Sequence, residues 1–160
     1  AGMTSLAFLY SEGKGVARNV AEARRLYDAA ASQDHPRAMF NLALMSLKGQ
    51  GAASNPQAAL KLLQSAARLG HSGALLELAR LSDRGLYVVR DPVEAAGYIL
   101  KAAQASSLEG RKLDFASFGW SFATKRQIQK DLAAQGLYSG MAHGFFNAAT
   151  REALIAVAGR

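Results

Sequence analysis

The chain has no cysteine, and this one absence removes disulfides, thiolate metal sites and a cysteine nucleophile from consideration. It is short of proline (three) and tryptophan (one), and its three histidines are scattered. No apolar run approaches the length of about 18 residues that would span a bilayer. No strand-like stretch carries a GxSxG turn, and Gly13-Lys14-Gly15 lacks the GK[ST] ending of a phosphate loop. Basic residues outnumber acidic ones to give a net charge of +7, but they are not gathered into one patch. Residues 1–107 carry 12 Lys+Arg against 8 Asp+Glu, residues 108–160 carry 7 against 4, and the longest basic clusters are pairs such as Lys125-Arg126. Such scatter reads as solvated helix faces and gives no reason to expect a nucleic-acid partner.

What the chain has in abundance is alanine, glycine and self-similarity. Residues 2–15, 38–51 and 74–87 align at a spacing of 36. Leu6, Leu42 and Leu78 superpose, as do Ala7, Ala43 and Ala79, and Gly13, Gly49 and Gly85. The register continues through Asn19, Asn55 and Asp91, then Ala23, Ala59 and Ala95, then the pairs beginning at Ala30, Ala66 and Ala102. A fixed period of this length marks units that bury their apolar faces against neighbours. Each unit reads as two antiparallel helices. Met3, Leu6, Ala7 and Tyr10 share one helical face, and Gly13 ends that helix in a left-handed turn. Asn19, Asn55 and Asp91 cap a second helix, expected over 20–32, 56–69 and 92–105, with Pro56 and Pro92 at first helical positions. Asp91 and Glu94, the nearest pair of carboxylates, read as a cap and a first-turn acid rather than as acid/base chemistry.

These residues resemble the Sel-one-like repeats, relatives of the tetratricopeptide repeat, over residues 1–107. The resemblance implies an all-α fold, a short right-handed α/α solenoid of three helical hairpins, that recognises a protein partner rather than catalysing a reaction. On that reading a concave face lined by the first helix of each hairpin holds the partner, with Tyr10, Asn41, Met45 and Glu77 as candidate contacts. The third loop departs from the pattern: Gly85-Leu86-Tyr87 replaces the GxG of the first two units, followed by apolar residues, as expected of a terminal repeat packing on something different.

The period fails after residue 107. Residues 108–123 read as a connector carrying Phe115, Phe118, Trp120 and Phe122. Four aromatics in eight residues can form a stacking platform, but the preferred reading is a hydrophobic hinge, with Phe115, Phe118 and Trp120 making the contact between modules. Residues 124–160 form a small module of the C-terminal part. Ile128, Leu132 and Ala133 make one helical face ended by Gly136, and Asn147 caps a last helix whose Ala153, Leu154 and Val157 face inward. Ile128-Gln129, Leu132, Gly136, Tyr138, Gly140, Gly144, Phe145, Thr150 and Ala153-Leu154 resemble the three-helix peptidoglycan-binding-like domain. This chain departs from that pattern at His143, where the family has Asp, and at Val157-Ala158, where it has an aromatic-Gln pair. The resemblance implies a glycan site at Tyr138, Gly140, His143 and Phe145, and a periplasmic or cell-envelope location in a bacterium, with the cytoplasm as the alternative. It also implies that the chain is the regulatory end of a longer envelope or signalling protein, with a hydrolase or caspase-like part elsewhere. A start without Met on a repeat helix fits a piece of something longer.

No metal or cofactor is expected. His35 and His71 fall at equivalent positions one repeat apart, too far to share an ion, and His143 has no second ligand nearby in sequence.

Overall fold

The computed structural model describes residues 2–108 and 118–159. Among these it contains eight helices: α1 (Gly2–Glu12), α2 (Val20–Ala31), α3 (Pro36–Lys48), α4 (Pro56–Arg68), α5 (Ser72–Arg84), α6 (Pro92–Leu108), α7 (Phe122–Ala134) and α8 (Ala148–Ala158). They fall into two compact units, Ala1–Ala74 and Leu75–Arg160.

The hairpins form for the local reasons that the sequence advertises. Asn19 Oδ1 accepts the Glu22 N–H at 3.0 Å, Asn55 Oδ1 accepts that of Ala58 at 3.0 Å, and Asp91 Oδ1 accepts those of Val93 and Glu94 at 2.9 and 3.0 Å. Each removes a donor that the first helical turn leaves without a partner. All three prolines of the chain stand at the first residue of a helix, Pro36, Pro56 and Pro92, where a missing N–H costs nothing. Gly49 ends α3 at φ +66°, and Gly13 and Gly85 end α1 and α5 at φ +71° and +67°, the left-handed conformation that L side chains resist.

The second helices end at 31 and 68 in the first two hairpins, but α6 runs on to 108. The difference traces to one position. Asp34 and Gly70 turn left-handed at φ +56° and +78°, whereas the equivalent residue of the third repeat is Ser106, which stays helical and donates its hydroxyl to the Ala103 carbonyl.

In the first unit α2 packs on α1 and on α3, and α3 on α4. Ala7, Ala43, Ala23, Ala59, Ala30 and Ala66 are all fully buried, so the alanines of the repeat mark places where backbones approach closely. Tyr27 and Leu63 occupy the same register position and fill the space between. Leu6 is 40% exposed although its equivalent Leu42 is 4% exposed, because α1 packs chiefly on α2 alone.

In the second unit the partners of α6 change: α7 and α8 pack against it. Ile99 is fully buried, with Ile128, Leu132, Leu154 and Val157 contributed by α7 and α8. Ala133, expected on the inner face of α7, is exposed; its place inside is taken by Gln129 and Thr124, both fully buried.

Candidate functional site

Polar side chains at the repeat spacing close the hairpin loops. Arg18 Nε donates to the Ser11 carbonyl at 3.0 Å, Ser54 Oγ to that of Leu47 at 3.0 Å, and Arg90 Nε to that of Asp83 at 2.9 Å. Beside each, the cap residue's own N–H reaches back to the carbonyls of Tyr10, Ser46 and Ser82, all at 2.9 Å. Two arginines and a serine perform one task, because the task needs only a donor at that place.

Of the array residues expected to meet a partner, Tyr10, Asn41 and Met45 lie in the first unit and Glu77 in the second. Met45 is buried and cannot present its side chain. Asn41 is half-buried against Tyr27, whose phenol is raised by burial and lowered in part by Ser11, the Arg37 charge and Asn41. Tyr10 is half-exposed. Glu77 is held by Arg80 through two hydrogen bonds, one of 3.0 Å from Nε; its hydrogen bond raises the guanidinium pKa against the effect of burial.

The third hairpin loop differs in kind from the other two. Tyr87 sits at φ +64°, the conformation that Gly15 and Gly51 adopt at φ +74° in the same place. Leu86, Tyr87, Val89 and Val93 are all exposed, Val89 at 89%. A left-handed tyrosine among exposed aliphatics is an arrangement that packing alone does not call for.

Asp83, at the end of α5, reaches the start of α7. Its Oδ2 accepts the Ser121 N–H at 3.0 Å, and its Oδ1 accepts the Thr124 hydroxyl at 2.6 Å and the Ser121 hydroxyl. Ser121 Oγ in turn caps α7 by accepting the Thr124 N–H at 3.3 Å. Burial drives the Asp83 carboxyl upward, but the hydrogen bonds from Ser121 and Thr124, with the Arg90 charge, outweigh it and hold the pKa below its ordinary value. Trp120 is buried beside this latch and stacks on Phe118, with centroids 5.6 Å apart. The third residue expected there, Phe115, lies outside the described residues.

The turn between α7 and α8 is organised by Gln129. Its Oε1 accepts the Gly144 N–H at 2.8 Å. Its Nε2 donates to the Phe145 carbonyl at 2.8 Å, to Thr150 Oγ1 at 3.0 Å and to the Tyr138 hydroxyl at 3.3 Å. Tyr138, expected to offer a stacking face, is buried, and its hydroxyl donates to the Met141 carbonyl at 3.1 Å. A Cβ on Gly140 would stand 2.6 Å from Tyr138 Cζ, so this glycine is required by the ring beneath it. His143 Nδ1 accepts the Phe145 N–H at 3.1 Å. Of the four expected glycan contacts, Tyr138 and Gly140 therefore build the turn, while His143 and Phe145 stand at its surface.

A residue that sequence reasoning left in the connector completes this surface. Phe122 opens α7, is 54% exposed and meets the 69% exposed Phe145 edge to face, with centroids 5.7 Å apart. His143 lies 5.7 Å from Phe145 on its other side, and Met141 is 82% exposed. A Cβ on Gly144 would fall 2.7 Å from the Phe122 ring, so the glycine lets the ring lie against the backbone. Gln129 was legible as a polar residue beside Ile128 on the apolar face of a helix, a signal for a buried hydrogen-bonding hub.

Among the described residues no group of three or more histidines and carboxylates could hold a metal ion, and no helix is long and apolar enough to cross a membrane. His71 is used as a cap, its Nδ1 accepting the Ala74 N–H at 3.1 Å while its ring lies 4.8 Å from that of Phe40.

No curated protein matches the chain. Among solved structures, a Sel1 repeat protein from Oxalobacter formigenes is 31% identical with a TM-score of 0.60, over 64% of this chain and 41% of that one. A second is c5321, a protective antigen present in uropathogenic Escherichia coli strains and displaying an SLR fold. It is 22% identical with a TM-score of 0.62, over 98% of this chain and 37% of that one, a likeness of fold alone. The chain thus spans about two-fifths of the length of either structure. The Sel1 repeat is matched three times in succession, at residues 1–35, 36–71 and 72–107, the same three hairpins that the caps and glycines delimit. With two-thirds of its length in these repeats, the chain belongs to the Sel1 repeat family.

Proposed function

We propose that this chain is a non-catalytic scaffold that recognises another protein through its repeats, as Sel1 repeats generally do. The observation that carries the reading is a division of labour. Polar side chains at the repeat spacing are consumed in caps and loop closures, while large apolar side chains remain at the surface. Phe8 and Leu9 do so in the first unit, and Leu86, Tyr87, Val89 and Val93 in the second. Apolar side chains held on rigid helices and loops suit association, where desolvation supplies the energy. Tyr10, Asn41 and Glu77 supply polar contacts to the same kind of partner. The resemblance of residues 124–160 to a peptidoglycan-binding-like domain supports a bacterial envelope setting and a role as the regulatory part of a longer envelope or signalling protein.

The test compares wild type with Phe8→Ser/Leu9→Ser and Val89→Ser/Val93→Ser in affinity capture followed by light scattering. A partner held in fixed stoichiometry by wild type and lost from a variant of unchanged melting temperature is the expected result. A partner retained equally by all three chains would overturn the reading.

A second reading, a glycan-binding accessory that positions a cell-wall hydrolase, is favoured by one observation: the exposed Phe145, with His143 beside it, offers a ring to a sugar face. Sedimentation with purified peptidoglycan that disappears in Phe145→Ala would support it.

A further inference from the structure

The repeats leave one exposed surface unexplained, the aromatic pair on the C-terminal helices, and its surroundings say what it fits. Phe122 lies on the outer side of α7, and Arg126 and Lys130 follow at intervals of four, so the three side chains share one stripe of the helix. Both cations are exposed, and among the described residues neither side chain has a hydrogen bond or ion pair. Over residues 118–159 four cations, Lys125, Arg126, Lys130 and Arg151, face two carboxylates. One of these, Asp131, accepts a hydrogen bond from Gln127 at 2.8 Å. A positive stripe therefore continues from an apolar, aromatic one.

The aromatic end is also rigid. Gln129 is fully buried and holds the Gly144 N–H and the Phe145 carbonyl, the two backbone groups that flank the display of Phe145. Phe122 is fixed on the helix, in van der Waals reach of Gly144 and edge-on to Phe145. Exposed rings whose backbone is locked from beneath lose little conformational entropy on binding, which is what an anchor for a partner needs. A ring beside two unpaired cations favours a ligand that brings an apolar or aromatic side chain together with negative charge.

We propose that Phe122, Phe145 and His143, with Arg126 and Lys130 along α7, form a docking surface for an acidic peptide segment of a partner protein. An aromatic or aliphatic side chain of the segment seats against Phe145, and its carboxylates pair with Arg126 and Lys130. The surface acts independently of whatever the repeats hold, so the loss of one interaction leaves the other. Its two components separate by salt: the charged contacts weaken as ionic strength rises and the ring contact does not.

The experiment selects a displayed library of random dodecapeptides on the full chain. The same selection is run on Phe145→Ala and on Arg126→Glu/Lys130→Glu, all exposed positions whose substitution leaves the melting temperature unchanged. The expected result is enrichment in peptides that join two or more carboxylates to an aromatic residue, with affinity falling about tenfold or more in either variant. In Gln129→Leu the same peptides bind more weakly although every surface side chain is kept, and rescue by Gln129→Glu is absent because a carboxylate has no N–H for the Phe145 carbonyl. Enrichment in neutral or basic peptides, or acidic peptides that bind all chains alike, overturns the proposal. So does tighter binding of a single-stranded oligothymidylate to the same side chains, which would make the surface a nucleic-acid site.

Discussion

At the scale of single residues the repeat is a set of conformational demands, and the side chains that answer them vary. Gly49 answers two at once: it sits at φ +66°, and a Cβ there would lie 3.3 Å from the Ser54 N–H nitrogen. Gly15 answers only one, since at φ +74° it has open space around it. Gly49→Val should therefore cost at least about 1 kcal/mol, from a β-branched side chain forced into the left-handed region. Gly15→Asn should cost no more than about 0.5 kcal/mol, because Asn visits that region readily. Denaturant melts of the two variants check this, and equal losses would overturn it. Tyr87 shows that the backbone keeps its left-handed turn even without glycine. This was not legible, because a tyrosine in a glycine position reads as an abandoned turn rather than a maintained one.

At the scale of elements, helix starts and stops were legible wherever one residue decides them. Asn19, Asn55 and Asp91 define the starts of α2, α4 and α6, and Gly13, Gly49 and Gly85 the stops of α1, α3 and α5. The sixth, α6, overran its expected end, because continuing a helix requires only the lack of a stop signal at Ser106. What no local pattern announces is a contact between distant elements, and Asp83 is the clearest case. In its own repeat it stands where the half-buried Ser11 and Leu47 stand, near the end of a first helix, yet it is buried and takes three donors from Ser121 and Thr124. Asp83→Asn keeps the shape but can accept through one oxygen only, and should cost about 1–3 kcal/mol at neutral pH for the donors left without a partner. Because the folded pKa is depressed, the wild-type contribution is present above the unfolded aspartate value, about 3.9, and is lost as pH falls through the folded value. The stability curves of wild type and Asp83→Asn should accordingly converge below about pH 4, measured by urea melts across pH 2–7. A constant gap across that range would show that the variant acts through packing rather than charge.

At the scale of the whole chain, the sequence places a module boundary after residue 107, where the 36-residue period stops, while the compact units divide between Ala74 and Leu75. Both follow from physics, applied to different quantities. The period records which residues each hairpin needs in order to turn and pack; the compact units record which surfaces end up covered. The third hairpin keeps the repeat's caps but turns α6 over to α7 and α8, so that by sequence it is a repeat and by packing it is the floor of the C-terminal unit. Residues 118–159 contribute Trp120, Ile128, Leu132, Leu154 and Val157 to that unit as buried side chains, each worth about 1.5–3 kcal/mol when removed from water. A segment of this size has too little core to fold by itself, and the dependence runs in the other direction too. A chain ending at residue 108 keeps all three repeats, yet it bares the face of α6 that α7 and α8 cover and strips Asp83 of the donors of Ser121 and Thr124. It should melt well below the full chain and self-associate on size-exclusion chromatography through the bared apolar face, whereas three self-sufficient repeats would melt at the full-chain temperature as a monomer. The same comparison bears on function: if the C-terminal helices only floor the third repeat, replacing Phe145, which is exposed and outside that core, changes neither stability nor binding, and the aromatic surface is left without a role.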